Sequence, residues 1–137
     1  MTSAAGYSGT PLPAKLGVKP GQVVLLDRLP AELSLDLPGA HVVRRLRAGL
    51  DVTLTFHTSL STLSARLPAV FSRTVNDGMV WVAWPKQSAV RKLGLTTDLS
   101  DDVVRTLGLE LGWVDVKVAA ISDVWSGLKF VRRLVDR

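Results

Sequence analysis

The stretch Lys19–Asp27, KPGQVVLLD, decides the fold of this chain. Lys19-Pro20-Gly21 is a turn signal, because proline presets one backbone angle and glycine accepts conformations that other residues avoid. Val23-Val24-Leu25-Leu26 then runs apolar without interruption to Asp27. A short unbroken apolar run, rather than an alternating one, marks a strand buried on both faces, as in a central parallel strand.

Asp51–His57 reads DVTLTFH. Val52, Leu54 and Phe56 alternate with Thr53 and Thr55, a strand period with strand-favouring residues. Thr58 or Ser59 can cap a helix reaching about Arg73, because Leu60, Leu63, Leu67, Val70 and Phe71 recur at helical spacing. Pro68 removes one backbone donor and predicts a kink there. Met79–Trp84 is another apolar strand, ended by Pro85 and preceded by a turn at Asn76-Asp77-Gly78. Ser100 is a good helix cap, Asp101 and Asp102 suit the first turn, and Gly112 suits the end. Trp113–Ile121 and Trp125–Val131 form a C-terminal antiparallel hairpin through Ser122-Asp123. At the other end, Pro11–Leu16 reads as a short helix closed by Gly17.

Three segments read less regularly. Leu29–Leu37 is expected as loop with one or two helical turns, and Lys86–Thr97 as a polar, basic connection. Val42–Leu46 is an edge strand interrupted by Arg44 and Arg45. The link after it, Arg47–Leu50, is so short for a parallel crossover that irregular pairing, or none, is expected. Strands alternating with helices predict an α/β fold with a mainly parallel sheet of about six strands. It occupies one domain, residues 11–137, behind a flexible lead of residues 1–10.

Composition narrows the function classes. In 137 residues, 47% are hydrophobic and 21% charged, which excludes a disordered chain. Cysteine is absent, so a disulfide framework, thiolate catalysis and Cys-ligated metals are excluded. Two histidines, His41 and His57, leave little for an imidazole metal site, and no metal is expected. The N-terminal residues show no basic and then apolar leader, and no apolar run is long enough to span a membrane. A cytoplasmic protein without a membrane partner is expected.

The order of these segments resembles that of class I methyltransferases. There a first strand ends in an acid, as at Asp27, a later strand begins Asp-Val, as at Asp51-Val52, and a Gly-led strand follows, as at Gly78–Trp84. A terminal hairpin closes the sheet. The resemblance implies a degenerate methyltransferase-like Rossmann architecture with strand order 2-1-3-4-6-5. A second resemblance rests on Gly6–Leu12, Lys15–Gly21, Leu67-Pro68-Ala69, Trp81–Lys86 (WVAWPK), Thr97-Asp98-Leu99, Val114-Asp115, Lys117 and Val124–Leu128 (VWSGL). With these residues the chain is similar to a small bacterial domain-of-unknown-function family, numbered three thousand and fifty-two. No catalytic residues carry over from that family.

A methyltransferase cofactor site implies glycines after the first strand and an acid near the end of the second. Here Asp27 is followed by Arg28-Leu29-Pro30-Ala31-Glu32-Leu33, and the second strand ends in Arg44-Arg45-Leu46-Arg47. No cofactor is therefore expected. Ligands of open α/β sheets gather at the carboxyl ends of the strands. That rule selects Asp27, Arg28, His57, Thr58, Ser59, Trp84 and Lys86 as candidate ligand-binding residues, with none assigned to catalysis. Each has a plainer reading beside it: His57 as a polar strand end, Lys86 as a solvated loop residue, Trp84 as core. Trp81, Trp113 and Trp125 read as packing residues. Asp115 and Lys117, two apart on one strand, read as sharing a face and pairing across strands, with Lys129 as a further partner. Ser126-Gly127 reads as a bulge or a close backbone approach.

The net charge of +5 comes from 17 basic and 12 acidic residues. Arg44, Arg45, Arg47, Lys86, Arg91, Lys92, Arg132, Arg133 and Arg137 could neutralise phosphates. No reader motif or interleaved aromatic accompanies them, so nucleic acid is not an expected partner. The reading is a non-catalytic Rossmann-like module that binds a small anionic ligand or a protein partner. The alternatives are a methyltransferase-like enzyme with an unusual pocket and a nucleic-acid-associated factor using a basic surface. Homodimerisation stays open.

Overall fold

The computed structural model describes residues 11–137. The expected lead, residues 1–10, and the Gly6–Thr10 part of the resemblance lie outside the described residues. Six strands form one sheet: β1 (Val23–Asp27), β2 (His41–Val43), β3 (Leu50–Phe56), β4 (Thr74–Pro85), β5 (Trp113–Ala120) and β6 (Trp125–Arg132). Their order is β2-β1-β3-β4-β6-β5, as the methyltransferase resemblance implied. β2, β1, β3 and β4 are parallel, whereas β6 runs antiparallel to both β4 and β5. The parallel strands therefore bring the ends of β1, β2, β3 and β4 to one edge. No helix among the described residues is long and apolar enough to cross a membrane.

Strand alternation sends successive residues to opposite faces. One face carries Val24 and Leu26 of β1, Val52, Leu54 and Phe56 of β3, and Trp81 and Ala83 of β4. It is covered by helix α1 (Leu12–Leu16) and by the chain of residues 28–40 through Leu29, Leu33, Leu35 and Leu37. Trp81 is fully buried here, and its indole Nε1 donates to the carbonyl of Leu16 at 3.0 Å. The opposite face packs Val80, Val82 and Trp84 against helices α2 (Leu60–Ser72) and α4 (Asp101–Glu110). Phe71 stacks on Trp113 with ring centroids 4.0 Å apart. Trp113 and Trp125 are thus packing residues, as expected.

The caps are those anticipated. Ser59 accepts from the amide of Thr62, Ser100 from that of Val103, and Gly17 closes α1 at φ 80°. Gly127 makes the expected close approach: a β-carbon there would lie 2.9 Å from Ile121 Cδ1. Asp51 accepts from the amide of Val23 at 2.8 Å, tying β3 to the start of β1.

Four expectations need correction. Residues 28–40 contain no helix; their leucines are held by contact with the sheet rather than by local periodicity. The segment 86–97 contains helix α3 (Gln87–Leu93), which lacks a side-chain cap and is closed by Gly94 at φ 67°. The Asn76-Asp77-Gly78 turn lies inside β4. Leu50 pairs with Thr74 and Val52 with Met79, so five steps along β4 match two along β3, and the turn residues form the bulge. Asp115 and Lys117 do not share a face, because a register shift separates them. Asp115 instead accepts from Arg105 Nε at 2.9 Å, and Lys117 faces Lys129.

The expectation of irregular pairing, or none, is also corrected: the edge strand is His41–Val43 rather than Val42–Leu46, and it pairs with β1 in regular parallel register. β2 pairs with β1 over only His41–Val43, which leaves residues 44–49 to pass β1 and reach β3. That path needs roughly 15 Å, and six extended residues reach about 20 Å.

Candidate functional site

Asp27 ends β1 and points to the α2 face of the sheet. It is 3% exposed, yet it stays ionised. Burial pushes its carboxyl up, but hydrogen bonds from Arg66 and Thr55 and the charge of Arg66 outweigh that and lower it. Arg66 Nη2 donates to Oδ1 at 2.7 Å and Nε to Oδ2 at 3.0 Å, a two-point clamp from the middle of α2. Thr55 Oγ1 donates to Oδ2 at 2.7 Å.

His57 follows β3 and is 1% exposed. Its Nε2 lies 2.7 Å from Thr55 Oγ1. The Thr55 proton is already committed to the Asp27 carboxylate, so Nε2 must carry a hydrogen and donate. Nδ1 is then the acceptor, facing the Thr62 hydroxyl at 3.0 Å. Thr62 Oγ1 also faces the Ser59 carbonyl and the Ser59 hydroxyl, both at 3.1 Å. The imidazole pKa is lowered to about 4, first by burial and then by the positive charges of Arg28 and Arg66; Asp27 opposes the shift. The ring is therefore neutral at physiological pH. A continuous polar relay runs Arg66–Asp27–Thr55–His57–Thr62 along the strand ends.

The candidate residues divide by exposure. Asp27, His57 and Trp84 are buried on the α2 face, Ser59 and Lys86 are half-buried, and Arg28 and Thr58 face solvent. Trp84 belongs to the apolar cluster of α2 and α4. Lys86 caps α3, and its amide donates to the Val124 carbonyl at 2.8 Å. The Thr58 carbonyl accepts from Thr97 at 2.7 Å. Among the described residues Arg28 is the only non-glycine with positive φ, at 58°. Its Nε donates to the Phe56 carbonyl at 3.2 Å, so its side chain reaches from the end of β1 to the end of β3.

Arg66, Thr55 and Thr62 were not singled out from sequence. Thr55 reads only as the polar half of an alternating strand. Arg66 did carry a signal: it is the single charged residue of α2, set between the buried positions Leu63, Leu67 and Val70. On the other side of the same edge, Glu32, Leu33, Ser122, Asp123, Val124 and Trp125 line a groove of about 220 Å³.

No family model matches the chain, and no curated protein does. Solved structures do. Magnesium protoporphyrin IX methyltransferase (ChlM) from Synechocystis PCC 6803 with bound SAM is similar at TM-score 0.62 and 14% identity, covering 89% of this chain and 74% of that one. A TehB-like SAM-dependent methyltransferase from Corynebacterium glutamicum ATCC 13032 Kitasato is similar at TM-score 0.55 and 12% identity, covering 95% and 91%. LepI in complex with SAM is similar at TM-score 0.55 and 14% identity, and there the chain spans 39% of the length. The chain has the fold of class I SAM-dependent methyltransferases.

The residues at the carboxyl edge do not fit S-adenosylmethionine. No glycine occurs from Arg28 to Pro38, where a backbone must turn close to the ligand. The acid of β1 is consumed by Arg66 and Thr55. β2 leads into Arg44 and Arg45, where the ribose hydroxyls need an acid.

Proposed function

We propose that this chain is a non-catalytic, methyltransferase-fold module of the cytoplasm that binds a small anionic ligand at the carboxyl edge of β1–β4. The observation that carries this reading is the clamp on Asp27. Asp27 is 3% exposed, and three of its roughly four acceptor positions are filled by Arg66 and Thr55, which leaves it little to offer a ligand. Of the residues that directly follow β1 and β3, Arg28 faces solvent with a positive charge, beside the uncharged Thr58. The likeness to the domain-of-unknown-function family numbered three thousand and fifty-two, through WVAWPK and VWSGL, belongs to the same proposal and assigns no catalytic residue.

A second reading is a methyltransferase-like enzyme with an unusual pocket. It is favoured by the similar solved structures, two of which are magnesium protoporphyrin IX methyltransferase with SAM or SAH bound. Calorimetric titration with S-adenosylmethionine and S-adenosylhomocysteine separates the two. The module reading expects no measurable heat of binding for either. Micromolar affinity for either one replaces it with the enzyme reading.

A further inference from the structure

We propose that the groove between α2 and α4 docks a cationic amphipathic helix of a partner protein. The groove lies on the face of the sheet opposite α1 and does not depend on the small-ligand reading. Leu60 and Ser64 of α2 line one side, and Asp102, Val103, Leu107 and Glu110 of α4 the other, around a volume of about 350 Å³.

The two walls differ. On α2 the outward positions Leu60, Ser61, Ser64, Ala65 and Pro68 are exposed and uncharged. A helix that faces only water carries charged or strongly polar residues on that side. The one charged residue of α2, Arg66, is turned inward to clamp Asp27. Small side chains on this wall let a second helix lie close, at about the 8–10 Å between axes usual for packed helices.

On α4 the wall is acidic. Asp102 and Glu110 stand at the two ends of the groove, about 12 Å apart along the helix axis. Asp102 is almost fully exposed, and its neighbour Arg105, at 3.4 Å, is shared with Asp101 and Asp115. Glu110 is exposed and forms no ion pair among the described residues. Between them Val103 and Leu107, one turn apart, are half-buried and continue the apolar floor begun by Leu60.

Charge complementarity chooses the occupant. An apolar floor with a carboxylate at each end fits a helix that repeats apolar residues turn by turn and carries Lys or Arg about eight residues apart. A second copy of this chain fits poorly. In a two-fold contact the same patch meets itself, and no basic residue lines the groove among the described residues to receive the carboxylates. The lead, residues 1–10, carries no Lys or Arg side chain either. Nucleic acid is repelled by the same two acids.

The test is selection of displayed random peptides of about 15 residues, long enough to span both carboxylates, against the full chain. Affinities of the recovered peptides are then measured by fluorescence anisotropy. Recovered peptides are expected to carry two basic residues about eight apart beside an apolar stripe. The double variant Asp102→Lys, Glu110→Lys should weaken them by about tenfold or more. Changing the two basic residues of such a peptide to Glu should restore binding to that variant. Ser64→Arg is the second variant: it reverses the charge of the groove from the α2 wall without touching α4, and should weaken the same peptides. The proposal is overturned if no basic peptide is recovered, if the recovered peptides are acidic or uncharged, or if neither variant changes their affinity. Self-association of the chain in sedimentation equilibrium that Ser64→Arg abolishes also overturns it, by making a second copy the occupant. Titration with S-adenosylmethionine bears on the module reading alone, so the two can fail separately.

Discussion

The two faces of the sheet are built from alternate residues of the same strands, yet they differ in kind at the carboxyl edge. Toward α1 the strands stay apolar to their ends, through Leu26, Phe56 and Ala83. Toward α2, β1 and β3 turn polar, through Asp27, Thr53, Thr55 and His57, whereas β4 stays apolar to Trp84. The first face is held by packing, with one buried side-chain hydrogen bond from Trp81 to the Leu16 carbonyl, so most of its side chains are specified by shape. The second is held by a directed chain of hydrogen bonds, in which removing one group leaves another buried and unmet. The relay joins the ends of β1 and β3 through Thr55, and Arg28 joins them again through the Phe56 carbonyl.

The apolar face should show the largest effect. Trp81 is fully buried and fastens α1 through the Leu16 carbonyl. Trp81→Ala should cost about 3–5 kcal/mol in denaturant melts, from lost burial and the cavity left behind. A cost under about 1 kcal/mol would mean that α1 does not seal this face.

On the polar face the next effect depends on pH. The His57 pKa is lowered from 6.5 to about 4 on folding. Between those values the unfolded chain binds the proton and the folded chain does not. Stability is therefore full above about pH 6.5 and falls as the pH drops toward 4. The shift corresponds to about 3 kcal/mol over that window. Asp27, lowered in the folded state, adds a further loss only in more acid solution. Urea melts of the wild type across this range should show the decline, and His57→Gln should flatten it. A wild-type profile that is flat from pH 6.5 to 4 would show that the ring accepts a proton without leaving the relay.

Much of the fold was legible because unbroken or alternating apolar runs announce strands wherever they pack. VVLLD, DVTLTFH and MVWVAW became β1, β3 and most of β4. The early part of β4 was not legible, because Asn76-Asp77-Gly78 has turn chemistry and only the pairing with β3 turns it into a bulge. α3 was hidden by its weak cap and mixed composition. In the site, Asp27 and His57 stood out because each follows a run of core residues directly. Arg66 did not, since helical spacing identifies which residues are apolar and says nothing of which acid a charged one meets. That pairing joins residues 39 apart in sequence and exists only once α2 lies on the sheet.

The smallest effect compares two threonines on β3 that point to the same face. Thr53 and Thr55 are both fully buried. Thr55 links Asp27 to His57 with two contacts of 2.7 Å. The Thr53 hydroxyl has no hydrogen-bond partner among the described residues. Valine keeps the shape of threonine and removes the hydroxyl, so the same substitution asks opposite questions at the two sites. Thr55→Val strips a donor from a buried carboxylate and an acceptor from His57, and should destabilise by about 1–3 kcal/mol. Thr53→Val removes a buried polar group that bonds to nothing, and should stabilise by about 1 kcal/mol. The pair is measured in one set of urea melts at neutral pH, where His57 is neutral and Asp27 ionised in the folded chain. Opposite signs locate the relay on Thr55 alone. Destabilisation of similar size at both positions would instead mean that Thr53 also has a partner, and that the polar character of this face starts one layer deeper than the relay.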